Sequence, residues 1–160
     1  MNQLFNFSES EILQLYARFR HIGKVKDGKF TSDDILRARP ELIDNPLTQR
    51  VFEVFDVNRD GAVSFSEFVM GLSRITRNDG SKLHFLFDLY DLDKDGFISN
   101  SDLFHIVRLM AKDIPESEVQ QLVDRTLRDC DGDYDDRVGF GEFEQAVGRI
   151  CLARQLDIDI

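Results

Sequence analysis

Three twelve-residue stretches of the chain place oxygen-bearing side chains at the spacing that wraps a hard cation. A calcium ion takes roughly six to eight oxygens, drawn from loop positions 1, 3, 5, 7, 9 and 12, with a sharp turn at position 6. In residues 56–67, DVNRDGAVSFSE, the donors are Asp56, Asn58, Asp60, the Ala62 carbonyl, Ser64 and Glu67, and Gly61 makes the turn. In residues 91–102, DLDKDGFISNSD, they are Asp91, Asp93, Asp95, the Phe97 carbonyl, Ser99 and Asp102, with Gly96 at the turn.

The last stretch requires a choice of frame. Starting at Asp129 puts Asp136 at the eighth position, where paired loops need an apolar bridge residue, and Phe140 at the twelfth, where a carboxylate belongs. Starting at Asp131 reads DGDYDDRVGFGE and supplies Asp131, Asp133, Asp135, the Arg137 carbonyl and Glu142, with Val138 at the eighth position. The second frame meets the requirement. It puts Asp136 where glycine usually turns the chain and leaves Gly139 without a ninth-position side chain. An L-residue in the left-handed region costs about 1–2 kcal/mol, with Asp and Asn tolerating it best.

Asp102 is one methylene shorter than the glutamate that usually closes such a loop. Its carboxylate is drawn back from the ion, which makes one-oxygen, six-fold coordination easier. That geometry suits magnesium, so this loop is expected to hold a divalent ion with reduced preference for calcium. About three calcium sites are expected, with magnesium an alternative at the loop ending in Asp102.

A further stretch has the frame without the donors. Aligning Gly28 at the turn and Phe30 at the eighth position gives Gly23, Val25, Asp27, Lys29, Thr31 and Asp34 at the liganding positions. Only two are carboxylates, and Lys24, Lys26 and Lys29 bring positive charge toward the ion. No calcium is expected there. The expected role is structural, Phe30 bridging to Val63 as Ile98 bridges to Val138.

The elements that position these loops follow from helical periodicity. FSESEILQLYARF puts Ser8 and Glu11 at capping-box spacing, Phe7 and Ile12 at staple spacing, and Ile12, Leu15, Tyr16 and Phe19 on one helical face. LTQRVFEVF, KLHFLFDLY and EVQQLVDRTL place apolar residues at helical spacing before an acidic loop, and EFVMGLSRI, DLFHIVRLM and EFEQAVGRI after one. The result is an internal repeat of helix, loop and helix. RNDGS (77–81) and KDIPE (112–116) break it with a turn signal and a proline near a helix start. The expected architecture is all-α, with four helix-loop-helix repeats in two paired lobes. These are 1–77, with a degenerate first loop and an intact second, and 82–151, followed by a tail at 152–160.

Composition bounds the rest. A net charge of −10 disfavours nucleic acid and anionic lipid, which require basic patches, and three divalent ions would offset more than half of it. Cys130 and Cys151 form no CxxC pair and are expected as thiols in a reducing compartment. No run is long enough to span a membrane, and the first residues lack a secretory layout, so a cytoplasmic location is expected. His21, His84 and His105 lack the spacing of a catalytic or zinc constellation, and saturated calcium loops leave no open coordination position, so no catalysis is expected. With three methionines (Met1, Met70 and Met110) against fourteen phenylalanines, a fixed groove for one dedicated helix is favoured over an adaptable Met-rich surface.

The loops identify the chain as resembling the EF-hand superfamily. The stretches NPLTQRVFEVFD, DLYDLDKDGFISNSDLF, QQLVDRTLRDCD and the tail LDIDI resemble, more narrowly, the regulatory B subunits of calcineurin. That resemblance implies a non-catalytic regulatory subunit of a calcium- and calmodulin-dependent serine/threonine phosphatase, gripping an amphipathic helix of the catalytic A subunit in an apolar groove. It also implies an A–B junction at which immunosuppressant–immunophilin complexes dock; the matching stretch here, LMAKDIPES (109–117), is shorter and less like the family. The family's myristoylated glycine is replaced by Asn2, so no lipid anchor is expected, and three working loops stand where the family usually has four. The rival readings are a related sensor that binds a protein kinase or an ion-exchanger tail, and a calcium buffer.

Overall fold

The computed structural model describes residues 7–22, 28–76 and 80–156, with side chains described as far as residue 148. Eight α-helices and four short strands occur among these residues. Helix α1 (Glu9–Ile22) leads to strand β1 (Lys29–Phe30) and helix α2 (Ser32–Ala38), and a 3-10 turn follows at Pro40–Leu42. Helix α3 (Thr48–Phe55), strand β2 (Val63–Ser64) and helix α4 (Phe65–Thr76) complete the second repeat. The third comprises α5 (Ser81–Tyr90), β3 (Phe97–Ser99) and α6 (Asn100–Met110), and the fourth α7 (Glu116–Cys130), β4 (Arg137–Gly139) and α8 (Phe140–Leu156). The chain is thus all-α, each repeat a helix, loop and helix, with strands confined to the loops.

Local chemistry sets the helix starts. Ser8 and Glu11 close the capping box reciprocally: the Ser8 amide donates to Glu11 Oε2 at 2.7 Å, and the Glu11 amide to Ser8 Oγ at 3.4 Å. Thr31 with Asp34 and Ser99 with Asp102 do the same for α2 and α6. Pro115 stands immediately before α7, and Glu116 and Glu118 occupy the helix's first turn, where carboxylates complement its dipole. Gly80 takes a positive φ of 82° just before α5 begins.

The chain divides into two compact units, Met1–Phe85 and Leu86–Ile160, the division falling within α5. Each unit carries its own core under its own ribbon. In the first, β1 and β2 pair antiparallel with Phe30 opposite Val63, and both join Phe19 and Phe52 in a buried cluster. In the second, β3 and β4 pair with Ile98 opposite Val138, and both pack with Phe87 and Leu127. The eighth-position residues therefore do two jobs: they pair the loops and they anchor the loops to the core. Each such burial stabilises by about 1.5–3 kcal/mol. Cys130 is a half-buried thiol against the second core; the side chain of Cys151 lies outside the described residues.

Helix α4 has no room for a side chain at Gly71. A Cβ built on Gly71 would stand 2.5 Å from Cδ1 of Phe55, so only glycine lets that ring lie against the helix. The Phe55 ring is held by Phe85 and Phe68, with centroids 5.8 and 6.3 Å away. In the second unit, Arg108 fixes the α6–α7 connection by donating from its guanidinium to the carbonyls of Ala111, Lys112 and Ile114 at 3.3, 2.9 and 3.0 Å. Among the described residues no helix is long and apolar enough to cross a membrane.

Candidate metal centres

All three acidic loops are wound by one hydrogen-bond scheme. The first-position carboxylate is buried and accepts the amides of positions 5 and 6. Asp56 takes Asp60 and Gly61 at 3.2 and 2.8 Å, Asp91 takes Asp95 and Gly96 at 3.2 and 3.0 Å, and Asp131 takes Asp135 and Asp136 at 3.3 and 2.9 Å. The third-position oxygen of Asn58, Asp93 or Asp133 accepts the fifth-position amide. The fifth-position carboxylate of Asp60, Asp95 or Asp135 accepts the seventh at 3.0, 2.9 and 3.0 Å. Ala62, Phe97 and Arg137 therefore stand at the tied seventh position, where their carbonyls are the expected donors.

This winding needs left-handed backbone at two places. Position 4 takes φ of 57°, 60° and 63° at Arg59, Lys94 and Tyr134. Position 6 takes 81° and 90° at Gly61 and Gly96, and 64° at Asp136. The aspartate accepts the conformation that glycine adopts without strain, and the Asp131 frame holds its turn.

The twelfth position separates the loops. Glu67 Oε2 accepts from the amide and hydroxyl of Ser64 at 2.9 and 2.7 Å, while Oε1 reaches back across the loop to the Asn58 amide at 3.3 Å. Glu142 likewise binds the Gly139 amide through Oε2 at 2.8 Å and the Gly132 amide through Oε1 at 2.7 Å. Among the described residues the Asp102 carboxylate bonds to Ser99 alone, accepting from its amide and hydroxyl at 2.9 and 2.5 Å, while the Asp102 amide donates back to Ser99 Oγ. The shorter side chain caps α6 and goes no farther. Ser64 and Ser99, expected as ninth-position donors, thus have their hydroxyls on the closing carboxylate.

Among the described residues two carboxylate trios converge, each with ligand atoms within 4.8 Å of one another: Asp91, Asp93 and Asp95, and Asp131, Asp133 and Glu142. Asp102 is not in the first of them, nor Asp135 in the second. Asp56, Asp60 and Glu67 are not such a trio; their loop has the neutral Asn58 at its third position, and Lys29 engages Asp60. Lost solvation, together with the negative charges of Asp135 and Glu142, holds the Asp133 carboxyl above its ordinary value. Burial likewise raises that of Asp91 against the pull of the amides it accepts. Burial also acts on Glu67, but the bonds from Ser64 and Asn58 outweigh it and leave that carboxyl lowered. Crowded oxygen donors whose charges oppose one another are the environment a divalent cation relieves, so the donor sets of the third and fourth loops fit calcium, and the second offers the same oxygen donors with less crowding.

The first loop differs in chemistry. Asp34 Oδ2 accepts the Thr31 amide and hydroxyl, both at 2.9 Å, and Oδ1 pairs with Arg37 at 3.2 Å, so the carboxylate serves the helix start. Gly23 to Asp27 lie outside the described residues. Lys29 does not remain over its own loop: its ammonium donates to Asp60 of the next one. Sequence reasoning assigned Lys29 only to the first loop. The Phe30–Val63 pairing brings the second loop alongside Lys29, but spacing along the chain does not say which of its side chains Lys29 meets.

An apolar cavity of about 360 Å³ opens in the first unit, lined in part by Ile35, Leu47, Val51, Phe55 and Phe68. Phe30 and Val63, the two bridge residues, also form part of its wall.

Comparison with known proteins agrees with the loop chemistry. The family model of the EF-hand domain pair matches residues 81–148, and that of the EF hand domain matches residues 48–75. The chain is 38% identical over 156 residues to the calcineurin B subunit of Naegleria gruberi, covering 96% of this chain and 88% of that one. It is 40% identical over 148 residues to the type 1 calcineurin B subunit of Dictyostelium discoideum, covering 89% and 81%. With the type 2 calcineurin B subunit of Homo sapiens it shares 37% identity over 154 residues, covering 94% and 90%. It is a calcium-binding, non-catalytic EF-hand chain, and it belongs to the family of calcineurin B subunits.

Proposed function

We propose that the chain is the calcium-binding regulatory subunit of a calcium- and calmodulin-dependent serine/threonine phosphatase, seating an amphipathic helix of the catalytic A subunit in the apolar cavity of the first unit. The observation that carries this reading is the double role of Phe30 and Val63. They close the ribbon between the first two loops, and they form part of the cavity wall. An ion held by residues 56–67 fixes the loop that carries Val63 and thereby the floor on which the helix rests. Apolar walls suit the buried face of an amphipathic helix.

Calcium is bound by Asp56, Asn58, Asp60, Glu67 and the Ala62 carbonyl, with Ser64 steadying the glutamate. The fourth loop uses Asp131, Asp133, Asp135, Glu142 and the Arg137 carbonyl. In the third, Asp91, Asp93, Asp95 and the Phe97 carbonyl form the site, Asp102 is held back by Ser99, and magnesium competes under resting conditions. The α6–α7 connection tied by Arg108 is the surface on which an immunosuppressant–immunophilin complex would dock beside the A subunit. The chain acts in the cytoplasm.

The test is affinity purification of the tagged full chain from its own cell, in calcium and in chelator, with partners identified by mass spectrometry. Recovery of a phosphatase catalytic subunit, lost when Val51 and Phe55 are replaced by aspartate, is expected. Recovery of a kinase or an exchanger tail instead, or a chain that stays monomeric throughout, would refute the assignment.

A further inference from the structure

Lys29 belongs to a loop without a complete donor set, yet its side chain serves the neighbouring site. The ribbon pairs Lys29 with Ser64, and from there its ammonium reaches Oδ2 of Asp60. Asp60 Oδ1 accepts the Ala62 amide at 3.0 Å, and Lys29 holds Oδ2, so the ammonium sits on the carboxylate that an ion would use. The fourth loop has a looser counterpart from within its own sequence. Arg137 stands 3.8 Å from Asp135 Oδ2, and its guanidinium lies over the Phe97 ring, 4.5 Å from the centroid. In the third loop the fifth-position Asp95 converges with Asp91 and Asp93. Among the described residues no basic side chain of the partner loop is placed on it: the ribbon sets Arg137 opposite Ser99, but Arg137 lies at Asp135 and Phe97.

We propose that Lys29 sets the calcium affinity of the second loop, acting as a tethered counter-ion that an entering divalent ion must displace from Asp60. The proposal rests on residues 56–67 being a calcium site. It makes the degenerate first loop an antagonist of its partner's ion as well as a structural support. Both side chains are partly exposed, 39% and 38%, so the pair is screened and its effect is moderate.

The three turn amides, Gly61, Gly96 and Asp136, each bonded to a first-position carboxylate, report the three loops separately by nitrogen-proton NMR of the full chain. Calcium is buffered by a chelator, and wild type is compared with Lys29→Met, Lys29→Gln and Lys29→Arg. In the Met and Gln variants the Gly61 midpoint should move to about two- to tenfold lower free calcium, with the shift shrinking in high salt. Gly96 and Asp136 should keep their wild-type midpoints, and Lys29→Arg should keep all three. An unchanged Gly61 midpoint in the neutral variants, while wild-type Gly61 still titrates, overturns the proposal and leaves the site assignment standing. An equal shift of all three signals also overturns it, since that reports general stability. A wild-type Gly61 signal that never responds to calcium removes the site, and the proposal with it.

Discussion

Replacing Asp102 with glutamate tests what the closing carboxylate does. Glu67 and Glu142 both cap their helix with one oxygen and span the loop with the other, to Asn58 at 3.3 Å and Gly132 at 2.7 Å. Asp102 spends its reach on Ser99. The added methylene should preserve the cap, as it does in the other two loops, and bring a second charged oxygen to the ion. A contact with a charged group is worth about 1.5–3 kcal/mol net, which converts to roughly 10- to 150-fold tighter calcium binding at this loop. Magnesium, which demands a compact octahedron, should gain much less. Calorimetric titration of the full chain with calcium, alone and in millimolar magnesium, reads both quantities. An Asp102→Glu variant with wild-type calcium affinity, or with an equal gain for magnesium, would refute the reasoning that side-chain length limits this site.

Gly71→Ala sets helix propensity against packing. Alanine favours the helix by about 1 kcal/mol, but its Cβ would lie 2.5 Å from Cδ1 of Phe55. Displacing a ring held by Phe68 and Phe85 costs about 1–3 kcal/mol. Urea unfolding should therefore show a net loss of about 1 kcal/mol, and a stabilised variant would show that Phe55 moves freely. At Asp136, with φ of 64°, the calcium-loaded Asp136→Gly chain should be more stable than Asp136→Ala by about 1 kcal/mol in thermal unfolding. Equal stability would mean that the fourth loop does not keep its left-handed turn.

Much of this molecule is written locally. The loop frames, the eighth-position pairs Phe30–Val63 and Ile98–Val138, and the Ser8–Glu11 cap each follow from spacing within one short stretch, because the hydrogen bonds that define them are local or fixed by loop register. The Asp131 frame could be chosen from sequence because only it puts Val138 at the bridge. Contacts between distant residues were not legible. Nothing in the spacing of Lys29 and Asp60, 31 residues apart, announces an ion pair. The approach of Gly71 to Phe55 depends on how two helices cross. The Ser99–Asp102 cap was visible as capping-box spacing but was overshadowed by the ligand pattern. In such a loop the same carboxylate is wanted by the ion and by the helix start, and side-chain length decides which it can serve.

The unlike halves of the β1–β2 ribbon bear on the shape of the calcium response. One arm carries a full set of oxygens and the other a lysine, so a single capture event governs four helices in that half of the molecule. Its titration should be a simple hyperbola without steepening. Across β3–β4 two acid-rich loops share a backbone ladder, so occupancy of one can prepare the other, and any switch-like sharpness in the molecule should originate there.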